Sequence, residues 1–272
     1  MKTMAEKTEI AWTDSTFNPW WGCSKVGPGC DHCYAEALDR RTGGDHWGAT
    51  KTPRTMSADN WRKPARWQRI AEVTGTRRRV FCGSMCDWAD KNAPPGELDK
   101  LWALIRSTPM LDWQLLTKRA PNIARFLPAD WCTGYENVWL GVTVENREHG
   151  LPRVEYLRRV PARVRFLSIE PLLADLGEID LSGIQWVIAG GESGPKARPA
   201  HPNWFRSIRD QCADAGVPFF FKQWGEFASV SEVEGFGRHF VFQDGATVRR
   251  VGKIAAGRAL DGALHDDYPS SS

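Results

Sequence analysis

Three cysteines, Cys23, Cys30 and Cys33, fall within eleven residues of the segment NPWWGCSKVGPGCDHCYAE (Asn18–Glu36). A disulfide uses two thiols, and a closed structural zinc site usually takes four protein ligands. Three thiolates leave one position open. That suits a [4Fe–4S] cluster whose fourth iron takes a non-protein ligand. Gly22, Gly27, Pro28 and Gly29 let the loop wrap around such a group. A zinc site completed by His32, Cys82 or Cys86 is the alternative. Plain buried thiols fit less well, because two of the three form a CxxC in a glycine-rich loop.

A loop of this kind needs a frame that carries it to other reactive side chains. Seven apolar runs read as strands: Glu9–Trp12, Arg79–Cys82, Trp113–Thr117, Val138–Val142, Val164–Ser168, Gln185–Ala189 and Pro218–Lys222. They lack strict alternation, as expected of strands buried on both faces of a parallel sheet. Helical spacing separates them over Asp31–Arg41, Trp61–Val73, Glu97–Ser107, Arg147–Arg159 and Asn203–Ala215. Pro202-Asn203 opens the last of these and Gly216 closes it. The alternation predicts an α/β fold. With no dinucleotide fingerprint, a complete or partial parallel (β/α) barrel is favoured over a doubly wound sheet. Residues 1–226 form the expected barrel, with the cysteine loop at 18–36. Residues 227–272 form a C-terminal extension packed on it, with a hairpin turning at Asp244-Gly245 and a mobile tail, DDYPSSS.

Reactive groups of a parallel barrel collect past the carboxyl ends of its strands. Those positions hold Ser84, Met85, Cys86 and Asp87, then Lys118 and Arg119, Glu145 and Asn146, Glu170, Glu192 and Ser193, and Lys222, Gln223 and Trp224. Singly, each reads as a cap or a solvated loop residue. Together they describe a polar mouth ringed with carboxylates and two lysines, which is a binding site. GGES (Gly190–Ser193) reads either as a plain turn or as a close approach to an ammonium group. Cys82 reads as a small hydrophobe, and Cys132 and Cys212 as structural.

The length of 272 residues is ordinary for one α/β barrel, and 42% hydrophobic with 25% charged residues is ordinary for a soluble globular protein. No apolar run approaches a membrane span, and the start lacks a signal-peptide core, so a cytoplasmic protein is expected. The seven cysteines, an odd number, then read as reduced thiols or metal ligands. A net charge of +3 does not demand a nucleic-acid partner. The arginine clusters at 77–79, 158–159 and 249–250 read first as solvated faces. Among fourteen tryptophans, Trp20, Trp21, Trp47, Trp88 and Trp224 adjoin polar turn residues, where a ring packs in a core or stacks on a flat substrate.

TFNPWWGCSKVGPGCDHCYAE, FCGSMCDW, LLTKR, GVTVEN, LSIEPLL, WVIAGGESG, FFKQWGE and GKIAAGRALDG, in that order, resemble the phage-associated three-Cys-motif proteins. The resemblance spans about Thr8 to Pro269. That family is radical-SAM-like, of unknown function, and distantly similar to the spore photoproduct lyase group of DNA-acting radical SAM enzymes. Two features depart from the usual radical SAM pattern. The first cysteine gap is six with Tyr34 after the last cysteine, and GGES follows the sixth strand. The resemblance implies a barrel of radical SAM type. Cys23, Cys30 and Cys33 would hold a [4Fe–4S] cluster, with S-adenosylmethionine (SAM) on the fourth iron and a flavodoxin- or ferredoxin-like electron donor. A 5′-deoxyadenosyl radical would then take a hydrogen from substrate. Ser84 and Asp87 are expected at the amino end of SAM, and Glu145, Glu170 and Glu192 at its ribose or ammonium. Lys118, Lys222 and Gln223 are expected at carboxylates. The implied substrate is a nucleobase in phage or bacterial DNA, for example in an isomerisation during thymidine hypermodification. Two rivals remain: a zinc-stapled nucleic-acid-binding module without catalysis, and a radical SAM enzyme for a small metabolite or peptide.

Overall fold

A computed structural model describes residues 8–270; the first seven residues of the expected barrel segment and the last two of the expected tail lie outside them. Among the described residues the chain runs through β1 (Ser15–Phe17), β2 (Trp20–Trp21), α1 (Tyr34–Arg41), β3 (Arg54–Thr55), α2 (Ala58–Thr74), β4 (Arg78–Cys82), α3 (Glu97–Arg106), β5 (Leu111–Thr117), α4 (Ile123–Phe126) and β6 (Val138–Thr143). It continues through α5 (Leu151–Arg158), β7 (Val164–Ile169), β8 (Trp186–Gly190), α6 (Pro202–Asp214), β9 (Phe219–Gln223), β10 (Phe227–Ser229), β11 (His239–Val241) and β12 (Thr247–Arg250). Seven strands share one sheet in the order β1-β4-β5-β6-β7-β8-β9. The pairings β1–β4, β4–β5, β7–β8 and β8–β9 are parallel. The α/β class is the expected one. Because β1 and β9 are not paired to each other, the partial form of the barrel holds rather than the complete one.

Two compact units divide the chain. The first comprises residues up to Val26, Cys33–Gly141 and Arg159–Val164; the second comprises Gly27–His32, Val142–Arg158 and the chain from Arg165 onward. The core of the first packs Phe17 edge-on to Trp61 and Trp113, and Trp88 edge-on to Trp102. In the second, Phe205, Phe221 and Trp224 meet edge to face. Rings at these separations add to the area they bury. Helix ends follow local chemistry. Ser57 accepts the Asn60 amide at the start of α2, and His201 accepts that of Asn203 ahead of Pro202 in α6.

Several sequence expectations change. Glu9–Trp12 is not a strand. Instead, Asp14 accepts the Arg79 amide and Thr13 that of Phe81, so side chains occupy the β4 edge before β1 begins at Ser15. The helix expected from Asp31 starts at Tyr34, because a 3-10 turn at Pro28–Cys30 precedes it and Cys33, at φ −58° and ψ 117°, is not helical. The helix expected from Arg147 starts at Leu151, after a turn in which Gly150 donates to the Asn146 carbonyl. Trp20, Trp88 and Trp224 are core residues at 0–2% exposure, which leaves Trp21 and Trp47 as partly exposed rings. Cys132, read as structural, is exposed, whereas Cys212 is buried on α6.

The predicted hairpin is present as β11–β12, with Gly245 at φ 89° in its turn. The tail expected to be mobile is held in part: Trp186 Nε1 donates to the Asp267 carbonyl, and the ring of Tyr268 lies 5.2 Å from that of Trp186. No helix among the described residues is long and apolar enough to cross a membrane.

Candidate metal and ligand site

Within the first unit, β1 delivers Asn18, whose amide oxygen accepts the Met85 N–H at 2.7 Å while its nitrogen donates to Ser84 Oγ. Tyr34 donates its hydroxyl to the Ser84 carbonyl at 2.8 Å. Ser84 is therefore engaged by the chain through both its hydroxyl and its carbonyl. Asp87 is more heavily committed. Its Oδ1 accepts from the Thr117 hydroxyl (2.6 Å) and the Ala89 amide, and its Oδ2 from the Lys118 amide and Arg119 Nη1, both at 3.1 Å. Lys118 thus joins this group through its backbone.

Arg119, just past the end of β5, is the residue at the centre of this network; the sequence places it at a strand end with Lys118 but gives it no role of its own. Its Nη2 donates to the Ser24 carbonyl at 2.8 Å and hydroxyl at 2.7 Å, and lies 2.8 Å from Asp90 Oδ2. Its Nη1 lies 3.5 Å from Cys23 Sγ. All three charged side chains are at most 9% exposed. Burial opposes the charge of Arg119, but Asp87 and its other acidic neighbours outweigh it and raise its pKa. The LLTKR string carries one signal of this, a strand that ends in two cations.

As a free thiol Cys23 is pushed up to about 12 by burial, with Asp87 adding and Arg119 opposing. Cys82 and Cys86 are buried thiols whose pKa values burial raises.

Within the second unit the loop segment Gly27–His32 turns over a buried ion pair. A Cβ on Gly29 would meet Glu145 at 3.2 Å, so only hydrogen fits there comfortably. Glu145 is fully buried, and Arg153 reaches its two oxygens at 2.5 and 3.1 Å. Arg198 grips the same segment, donating to the Pro28 carbonyl at 3.0 Å and pairing with both oxygens of Glu192 at 2.6 and 2.8 Å. His32 Nδ1 lies 3.2 Å from Glu192 Oε1. Burial works against ionised Glu192, yet the side-chain and backbone bonds from Arg198 hold its pKa below the ordinary 4.5.

A third group lies at the ends of β7 and β9. Lys222 Nζ bonds both oxygens of Glu170 at 2.6 and 2.7 Å, and Gln223 donates to Glu170 and to Ser193. The second glycine of GGES has a packing reason. A Cβ on Gly191 would lie 1.8 Å from the Trp224 carbonyl oxygen, so the close approach of the chain after β8 to that after β9 itself demands glycine.

The arginine clusters carry partners. Arg77 pairs with Asp112, Arg79 with Asp14, Arg158 with Glu155 and Asp180, and Arg250 with Glu226. These arginines form half-buried ion pairs that tie strands and helices together, rather than the freely solvated faces the sequence suggests.

All seven cysteines are free. Among the described residues no group of three or more His, Cys, Asp or Glu side chains is placed so that it could hold a metal ion. The donor chemistry nonetheless fits a soft centre: Cys23, Cys30 and Cys33 are free thiols, half-buried and borne on one loop.

The chain is similar in fold to solved structures of spore photoproduct lyase. One, a tyrosine-to-phenylalanine mutant, is 12% identical with a TM-score of 0.48, over 92% of this chain and 72% of that one. Another, a double mutant with bound AdoMet and dinucleoside spore photoproduct, is 12% identical with a TM-score of 0.47, over 88% and 68%. A comparison with curated proteins gives no match. A family model covers residues 7–269, and the chain therefore belongs to the family described as "Protein of unknown function (DUF5131)".

Proposed function

We propose that the chain is a radical SAM enzyme in which Cys23, Cys30 and Cys33 hold a [4Fe–4S] cluster and SAM binds at its open iron. The observation that carries this reading is the set of three free, half-buried cysteines on one loop, the first of them backed by a guanidinium. When bound, the cluster would supply the single electron, received from a flavodoxin- or ferredoxin-like donor, for reductive cleavage of SAM to methionine and a 5′-deoxyadenosyl radical. The protein's own share is placement. Asn18 and Tyr34 fix Ser84, and Arg119 fixes Cys23 and Ser24. Glu145 and Arg198 shape the Gly27–His32 turn. The Glu170–Lys222–Gln223 group is the assigned contact for polar ends of SAM or substrate, and Lys118, Asp87 and Glu192 are the further candidates past other strand ends. The motif order of the phage-associated three-Cys proteins supports a nucleobase substrate in phage or bacterial DNA, modified or rearranged as in thymidine hypermodification. The solved lyases bind a dinucleoside photoproduct. A base in duplex DNA would be flipped to reach such a site.

The test is anaerobic incubation with SAM and dithionite. 5′-Deoxyadenosine formation that is lost in Cys30→Ala supports the reading. Iron-loaded protein that never cleaves SAM, with or without DNA, overturns it.

One observation favours a second reading. A Glu192 oxygen lies 3.2 Å from His32 Nδ1, a buried nitrogen without a hydrogen bond, so a small turn of the ring would give the carboxylate contact by which a histidine is oriented for metal through its other nitrogen. A zinc site using His32 would make the chain a stapled binding module, and it predicts zinc without iron.

A further inference from the structure

We infer that Arg119 is a positioning residue for the metal centre: it locks the Cys23–Ser24 backbone and donates an N–H to the ligating sulfur, raising the cluster's reduction potential. The inference rests on the cluster reading and goes beyond it.

The geometry is specific. One guanidinium spends Nη2 on the carbonyl and hydroxyl of Ser24 and Nη1 on Cys23 Sγ. A group required only to neutralise Asp87 would need no bonds to the cysteine loop. Here a second carboxylate, Asp90, holds the other nitrogen, so both arms of the fork are fixed in direction. The root of the side chain is fixed as well: the Arg119 amide donates to Thr117 Oγ1 at 2.8 Å, and Thr117 donates to Asp87. Lysine, a point charge on a flexible stem, cannot reproduce this fork. A cationic donor on a ligating sulfur stabilises the more electron-rich, reduced state of a cluster. The same contacts hold the loop in place before any metal binds, because they go to this chain's own sulfur and backbone.

The experiment compares the full-length parent with Arg119→Lys and with a charge-balanced double variant, Arg119→Met with Asp90→Asn. Asp87 keeps its bonds from the Thr117 hydroxyl and the Ala89 and Lys118 amides in the double variant, so no buried carboxylate is left unpaired. Two quantities are read: the midpoint potential of the reconstituted cluster by EPR-monitored titration, and amide hydrogen exchange around Cys23 and Ser24 in the metal-free protein. The expected result is a lower potential in the double variant with unchanged iron content, and Arg119→Lys between it and the parent. Exchange should be about tenfold faster in the double variant, as for loss of one charge-assisted hydrogen bond. Equal potentials and equal exchange overturn it and leave the cluster reading standing. A parent that takes up no iron overturns both.

Discussion

The cysteine loop is held in two ways along its length. At Cys23–Ser24, in the first unit, an arginine touches the sulfur and the backbone beside it. At Gly27–His32, in the second, Arg198 takes a backbone carbonyl and buried Glu145 fills the hollow behind a glycine. The first arrangement acts on a ligand atom and the second on the path of the chain. Changes at the first should move the electronic properties of a bound centre, whereas changes at the second should move stability and loading.

The largest effect is expected from Glu145→Ala. It strands Arg153 at 6% exposure and should cost about 3–5 kcal/mol, read as a fall in the denaturant midpoint. An unchanged midpoint would show that the ion pair does not support the turn. Glu192→Gln should cost less, about 1–2 kcal/mol, because its partner Arg198 is about a third exposed. Its signature is pH dependence. The folded pKa of Glu192 lies below its unfolded value of 4.5, so its contribution is present above pH 4.5 and lost as pH falls through the folded value. The parent should therefore lose stability on acidification more steeply than Glu192→Gln, and parallel curves would refute the assignment. Smallest is Ser24→Ala, which removes one acceptor of Arg119 at about 1 kcal/mol and should leave the acid profile unchanged. A Ser24→Ala effect on stability larger than that of Glu145→Ala would reverse the contrast between the two segments.

The sheet is legible in the sequence because its strands are continuous apolar runs such as LDWQLLT and WVIAG, whose burial on both faces leaves no competing period. The first strand is misplaced because Trp12 supplies an apolar signal, while the ladder edge beside it is satisfied by the side chains of Thr13 and Asp14. The strand-end carboxylates are legible as a group, but their partners are not. Arg153 follows Glu145 by eight residues, Arg198 follows Glu192 by six across a loop, and Arg119 follows Asp87 by thirty-two. Such pairings depend on the return of the chain rather than on local spacing. GGES reads either as a plain turn or as room for a ligand, but at Gly191 the Trp224 carbonyl already uses that room.

The central claim, that three thiolates hold an open iron–sulfur cluster, is tested most directly by metal analysis of protein purified without oxygen. The expected result is about four irons and four labile sulfides per chain, a dithionite-sensitive spectrum, and loss of both in Cys23→Ala, Cys30→Ala or Cys33→Ala. About one zinc per chain, with no iron even after reconstitution, would contradict it and favour the His32 site.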